Sequence, residues 1–167
     1  MKIGTIRRID DLGRIVIPKT VRKTLNIKPG DNLEIYIENE NIILKKHSEM
    51  SAFIETGQII SKTIKEKIKS NIYITDKDKI IIENSKQKNE KITKELQKII
   101  ENRQIEIKNS LKLADKITIK GNIIINPIIS NGDILGSLII NKDSEITKEE
   151  IEIIKAFGIL ISKMHEE

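Results

Sequence analysis

Residues 1–47 hold only short apolar runs: Ile15-Val16-Ile17, the alternating Leu33, Ile35 and Ile37, and Ile42-Ile43-Leu44, with Tyr36 as the one aromatic ring. A unit of that size has too much surface for its volume to bury a core alone. Its strands need apolar surface from outside, and dimerisation is the expected remedy. Locally, residues 3–9 read as a strand of β-branched and basic side chains. Asp11-Leu12-Gly13 reads as a turn, with Gly13 free to take a positive φ. Residues 15–17 read as a second short strand. Pro18 suits the start of a helix over residues 19–25, because its missing N–H costs nothing there. Val21 and Leu25 share that helix's buried face, Arg22 and Lys23 point elsewhere, and Asn26 can close it in the left-handed region. Pro29-Gly30-Asp31 is a turn signal. Residues 33–38 alternate as a half-buried strand, and residues 42–46 return after Asn39-Glu40-Asn41.

The polar break His47-Ser48-Glu49 opens a different pattern. Met50, Phe53, Ile54, Gly57, Ile60, Ile64 and Ile68 recur at helical spacing. Gly57 either weakens this helix or permits close packing. Residues 72–75 and 79–83 read as a hairpin about Asp76-Lys77-Asp78, and the polar, lysine-rich residues 85–90 as a surface loop. Ile92, Leu96, Ile99 and Ile100 mark a second helix. Residues 117–120, a Gly121-Asn122 turn and residues 123–129 read as strand, turn, strand. Asn131-Gly132-Asp133 is a hairpin signal before a strand over residues 134–140. Thr147 to Glu150 spells a capping box, and the last helix carries Ile151, Ile154, Phe157, Leu160, Ile161 and Met164 on one face. The expected class is α+β, with domains at 1–47 and 48–167.

Composition excludes several functions. The chain has no cysteine, so disulfides and thiolate metal sites are out. His47 and His165 lack the neighbours of a metal site. No phosphate-cradling glycine loop follows a strand, and no catalytic grouping stands out, so an enzyme and a bound cofactor are not expected. No apolar run approaches a membrane span, and the start, MKIGTIRRIDD, has no apolar core of a secretory signal. A cytoplasmic protein is the default.

Charge points the other way, towards a partner. Of the net +5, about +4 lies in residues 1–47, which hold ten basic and six acidic side chains. Four of the five arginines, Arg7, Arg8, Arg14 and Arg22, fall there, in a chain otherwise rich in lysine. Such asymmetry suggests a polyanion. Arginine offers a planar fork that bonds phosphate or guanine bidentately, which lysine does not. No aromatic side chain interleaves with these cations, which argues against single-strand stacking and leaves duplex DNA as the better partner. A competing reading pairs Arg7 and Arg14 with Asp10 or Asp11.

The elements R-R-I-D-D-L-G-R-I-V-I-P-K, R-K-T-L-N-I, G-D-x-L-E-I and I-I-L-K-K occur in order and without a gap. This stretch resembles the AbrB-type swapped-hairpin transition-state regulators. The resemblance implies a dimeric β domain in which two chains interleave strands and place Arg7, Arg8, Arg14, Arg22 and Lys23 on a DNA surface. Lys23 stands where an arginine is common, keeping the charge but losing the fork. Further on, NPIISNGDILGSLII and AFGILISKM resemble the GAF-type domain of sporulation regulators that carry a swapped-hairpin domain in front of it. That implies a GAF-like antiparallel sheet flanked by helices, regulation of forespore genes, and tetramers paired through helices. Two alternatives stay open: an antitoxin-like protein, which would need a disordered tail to wrap a toxin, and a ligand-sensing scaffold that binds no DNA. The GAF-like domain itself reads either as a packed isoleucine core or as a pocket for a small-molecule effector.

Overall fold

The computed structural model describes residues 6–47 and 53–164. The chain divides into two compact units, Met1–His47 and Ser48–Glu167. In the first, α1 (Lys19–Thr24) begins at Pro18, whose carbonyl accepts the Arg22 N–H at 2.9 Å. It ends at Asn26, whose φ is +52°, with the Ile27 N–H donating back to Arg22 O at 2.8 Å. Gly30, at φ +91°, then turns the chain, and Lys28 N–H donates to Asp31 Oδ2 at 2.7 Å. β1 (Leu33–Glu38) and β2 (Asn41–Lys46) form an antiparallel hairpin. Its loop residues Asn39 and Glu40 both have positive φ, the twist that suits a two-residue connection. Lys46 Nζ bonds Asn26 O at 3.1 Å and pairs with Asp31 Oδ2 at 3.2 Å, fastening the hairpin to the helix end.

Two expected strands differ. Residues 3–5 lie outside the described residues, and residues 6–9 and 15–17 form no ladder. Among the described residues these segments pair neither with each other nor with an open edge of the β1–β2 hairpin. Not one described residue of this unit is buried. Ile6 is 94% exposed, Val16 74% and Ile37 79%.

The second unit is one six-stranded antiparallel sheet in the order β5-β4-β3-β8-β7-β6. Its strands are β3 (Asn71–Asp76), β4 (Lys79–Glu83), β5 (Lys86–Lys91), β6 (Glu106–Ala114), β7 (Ile117–Ser130) and β8 (Asp133–Lys142). Three helices complete it: α2 (Ile54–Ile68), α3 (Lys94–Glu101) and α4 (Lys148–Lys163). Isoleucine on successive strand positions faces opposite ways, so the sheet builds two cores. Ile72, Ile74, Ile82, Ile124, Leu138 and Ile140 pack with Ile60, Ile64, Ile154 and Ile161 of α2 and α4. Tyr73, Ile80, Ile123, Ile125 and Ile139 pack with Leu96, Ile99 and Ile100 of α3. Few rings are needed because branched aliphatic side chains fill both layers.

Two sequence expectations are corrected here, and one strand is new. Of residues 85–90, expected in a loop, all but Ser85 fall in β5 at one sheet edge, where charged side chains blunt an open ladder. β6 has no counterpart among the elements expected from the sequence. Gly121, expected in a turn, lies inside the continuous β7 at φ +105°, at a register shift where Lys108 faces Ile123 and Ser110 faces Lys120. Asn141 Nδ2 donates to Lys120 O at 2.7 Å beside it. The Asn131-Gly132 hairpin is as expected. Met50 lies outside the described residues, and Gly57 serves close packing, since a Cβ there would stand 2.5 Å from Ile82 Cδ1.

The capping box forms as read. Thr147 Oγ1 accepts the Glu150 N–H at 3.2 Å and Glu150 Oε2 accepts the Thr147 N–H at 2.9 Å, while Lys142 Nζ donates to Glu150 Oε1 at 2.6 Å. Burial pushes the Glu150 carboxyl up, but the Lys142 ammonium and the Thr147 N–H outweigh it and hold its pKa below the ordinary value. A depressed carboxylate stabilises the fold fully above its unfolded pKa and loses that contribution as pH falls through the folded one. Loosening of α4 is therefore expected only below roughly pH 4. An NMR titration of the Glu150 carboxyl with a midpoint at or above the ordinary glutamate value would contradict it.

Candidate nucleic-acid interface

The five cations singled out in the sequence, Arg7, Arg8, Arg14, Arg22 and Lys23, are all exposed. Arg22 and Lys23 stand in the last turn of α1, where positive charge suits the carbonyl end of a helix. Val21 on the same helix is half-buried, whereas Leu25, expected beside it on the buried face, is exposed. Arg7 reaches only the neighbouring Ile6 carbonyl, at 3.4 Å, and pairs with no acid among the described residues.

Arg14 does pair, and with Asp10. Its Nε–H donates to Asp10 Oδ2 at 2.7 Å. Asp10 Oδ1 accepts the N–H of Leu12 at 3.0 Å and of Arg14 at 2.8 Å. The backbone closes the same loop, with the Gly13 N–H on Asp10 O at 2.9 Å, the Asp10 N–H on Arg14 O at 3.1 Å and Gly13 at φ +75°. Bonds from the Arg14 backbone and side chain hold the Asp10 carboxyl below the ordinary aspartate pKa. Asp10 entered the sequence reading only as a competitor for Arg7 and Arg14, yet it organises the turn. Its signal was an aspartate four residues before an arginine across a Gly turn.

Of the other acids of this unit, Glu34 is engaged at the hairpin and its end. Glu34 contacts His47 Nδ1 at 2.7 Å and Lys45 Nζ at 3.8 Å. His47 thus sits against a single carboxylate, and among the described residues no group of three His, Asp or Glu side chains could hold a metal. Nor is any helix among the described residues long and apolar enough to cross a membrane.

The family described as "Stage V sporulation protein T C-terminal, transcription factor" matches residues 49–164. The chain belongs to the stage V sporulation protein T family. Stage V sporulation protein T of Bacillus subtilis (strain 168) is 30% identical over 98% of each chain. Residues 6–51 match a second family, "Antidote-toxin recognition MazE, bacterial antitoxin". The transition state regulatory protein AbrB of the same Bacillus is 44% identical over 62 residues, 37% of this chain and 65% of that protein. Among solved structures, the cofactor-binding GAF domain of the nutrient sensor CodY from Clostridium difficile is 14% identical with a TM-score of 0.48, covering 63% of this chain and 81% of that one. Membership of the stage V sporulation protein T family makes this chain a transcriptional regulator of sporulation, the function that its AbrB-type motifs and GAF-like region led the sequence to imply.

Proposed function

We propose that two copies of residues 1–47 join through their apolar segments and present Arg7, Arg8, Arg14, Arg22 and Lys23 of each copy to duplex DNA. Residues 48–167 set the oligomer, a tetramer, and so fix the spacing of two DNA-reading dimers on forespore promoters in the cytoplasm. One observation carries the reading: the first unit has no buried described residue, yet Arg7, Arg8, Arg14, Arg22 and Lys23 all stand exposed around a firmly built turn and helix end. A second copy would cover Val16 and Ile37 and leave the cations outside. The tetramer has its own support in the second unit. Ile59 of α2 and Ile153 and Leu160 of α4 stay exposed on helices whose other faces are buried.

The antitoxin alternative needs a tail without a core, whereas residues 53–164 carry two. The scaffold alternative needs a ligand pocket. A recess at the ends of α2 and α4, walled by Phe53, Ile60, Ile82, Ile161 and Met164, leaves only about 10 Å³ open to a water-sized sphere.

Arg22→Ala and Arg14→Ala should each weaken binding of the full chain to duplex DNA by about tenfold, the scale of one well-placed arginine contact. Their melting temperatures should stay within about 2 °C of the unmodified chain, because both side chains are exposed and surface changes of this kind cost little. Fluorescence anisotropy and calorimetry on the same samples read both quantities. Unchanged affinity in both variants would remove this surface.

A further inference from the structure

We infer that Asp10 is a positioning residue for Arg14: its carboxylate holds the Nε edge of the guanidinium so that the two terminal amino groups face the nucleic acid. The inference rests on the DNA-surface reading above. It starts from an oddity, since an acid 43% exposed beside a surface meant for a polyanion should weaken binding. Asp10 nonetheless makes three bonds into its own loop, two to backbone N–H groups and one to the Arg14 side chain. Its ionised form is favoured by those same bonds.

The geometry leaves the useful part of Arg14 free. A guanidinium has five N–H donors. One is spent on Asp10 Oδ2, and the terminal amino groups make no bond among the described residues. Those groups form the fork that grips a phosphate or the guanine edge. Arg14 is otherwise unsupported, with its side chain 73% exposed. Without Asp10 it would sample many rotamers and lose that freedom on binding. With Asp10, the turn fixes the backbone, the backbone places the carboxylate, and the carboxylate places the fork. Asp11 supplies the contrast. It has the same charge, one residue away, and makes no side-chain bond among the described residues.

Asp10→Asn and Asp11→Asn add the same positive increment to the chain. After Asp10→Asn, the amide oxygen can still accept the two backbone N–H groups, but the amide nitrogen that replaces Oδ2 cannot accept the Arg14 Nε–H. Affinity of the full chain is measured for a duplex selected from a random library by the unmodified chain, and for a scrambled duplex of equal composition. Asp11→Asn should tighten both duplexes by a similar few-fold. Asp10→Asn should tighten the scrambled duplex but lower the selected-to-scrambled ratio by about tenfold. In an Arg14→Ala background, Asp10→Asn should leave that ratio where Arg14→Ala put it. Equal behaviour of the two asparagine variants overturns the inference. So does a further loss of ratio in the Arg14→Ala background, which would place the effect in the fold of the turn. If Arg14→Ala alone binds both duplexes as the unmodified chain does while Arg22→Ala weakens binding, this inference falls by itself; if neither variant changes binding, the DNA-surface reading falls and takes this inference with it.

Discussion

Replacing Gly136 with alanine lowers the melting temperature of the second unit by about 10 °C or more, the consequence of a cost above roughly 3 kcal/mol. Gly136 lies in β8 opposite Asp76 of β3, at the centre of the six strands. A Cβ there would stand 1.8 Å from Thr75 O, 2.7 Å from Thr75 C and 2.9 Å from Asp76 Cα. All three are backbone atoms of the neighbouring strand, so no rotamer change relieves the clash. The strands must separate, and the buried bond between Thr75 Oγ1 and Ser137 Oγ, 2.8 Å long, goes with them. The φ of Gly136 is not positive, so the requirement is for space rather than for glycine's backbone freedom.

Two other glycines set the scale. At Gly158 an added Cβ meets Asn126 Nδ2 at 2.4 Å, and that amide is the group that donates to Ile154 O at 3.1 Å. Gly158→Ala should cost an intermediate amount, because it breaks one buried hydrogen bond of about 1–3 kcal/mol while gaining about 1 kcal/mol of helix propensity. At Gly57 the clash is with the tip of Ile82, which can move, so the propensity gain there nearly offsets it. Calorimetry of the three variants should rank them in that order. A Gly136→Ala chain that melts within about 2 °C of the unmodified one would refute the close approach of β3 and β8.

The elements that were legible in the sequence share a property: their signal is local. The helix-starting Pro18, the Asn26 stop, the Asn131-Gly132 hairpin and the Thr147 cap each follow from neighbours within four residues, and each is where the sequence put it. β5 escaped because an edge strand needs no buried face, and Lys86 to Lys91 shows no apolar alternation. β6 escaped for a different reason. Its register shifts between Lys108 and Ser110 and again between Lys112 and Ala114, so no single period spans the strand. Gly121 read as a turn because its positive φ serves a bulge and a turn equally well. Residues 6–9 and 15–17 have strand-like composition but form no ladder among the described residues. The site shows the same division. Charge alone singled out Arg14, but the role of Asp10 needed coordinates, because an aspartate near an arginine spells attraction without saying which N–H it takes.

Affinity of the full chain for duplex DNA is expected to fall by about 10³-fold between about 50 and 200 mM salt. Each copy of the first unit offers the five exposed cations singled out in the sequence, so the proposed dimer brings ten of these to the duplex. If about six of them displace phosphate counterions, the log–log slope is near −5. The pairing of Arg14 with Asp10 does not remove that residue from the count, because only Nε is engaged. Single strands should bind more weakly, with a shallower slope. The one aromatic ring of this unit, Tyr36, lies in the hairpin strand β1 rather than among the arginines, so unstacked bases find no platform. The measurement needs only the purified chain, a labelled duplex and a salt series. A flat dependence would mean that phosphates are not what these cations meet. The arginine cluster would then serve assembly or a protein partner, and the DNA-contacting surface of this sporulation regulator would have to be sought in the second unit.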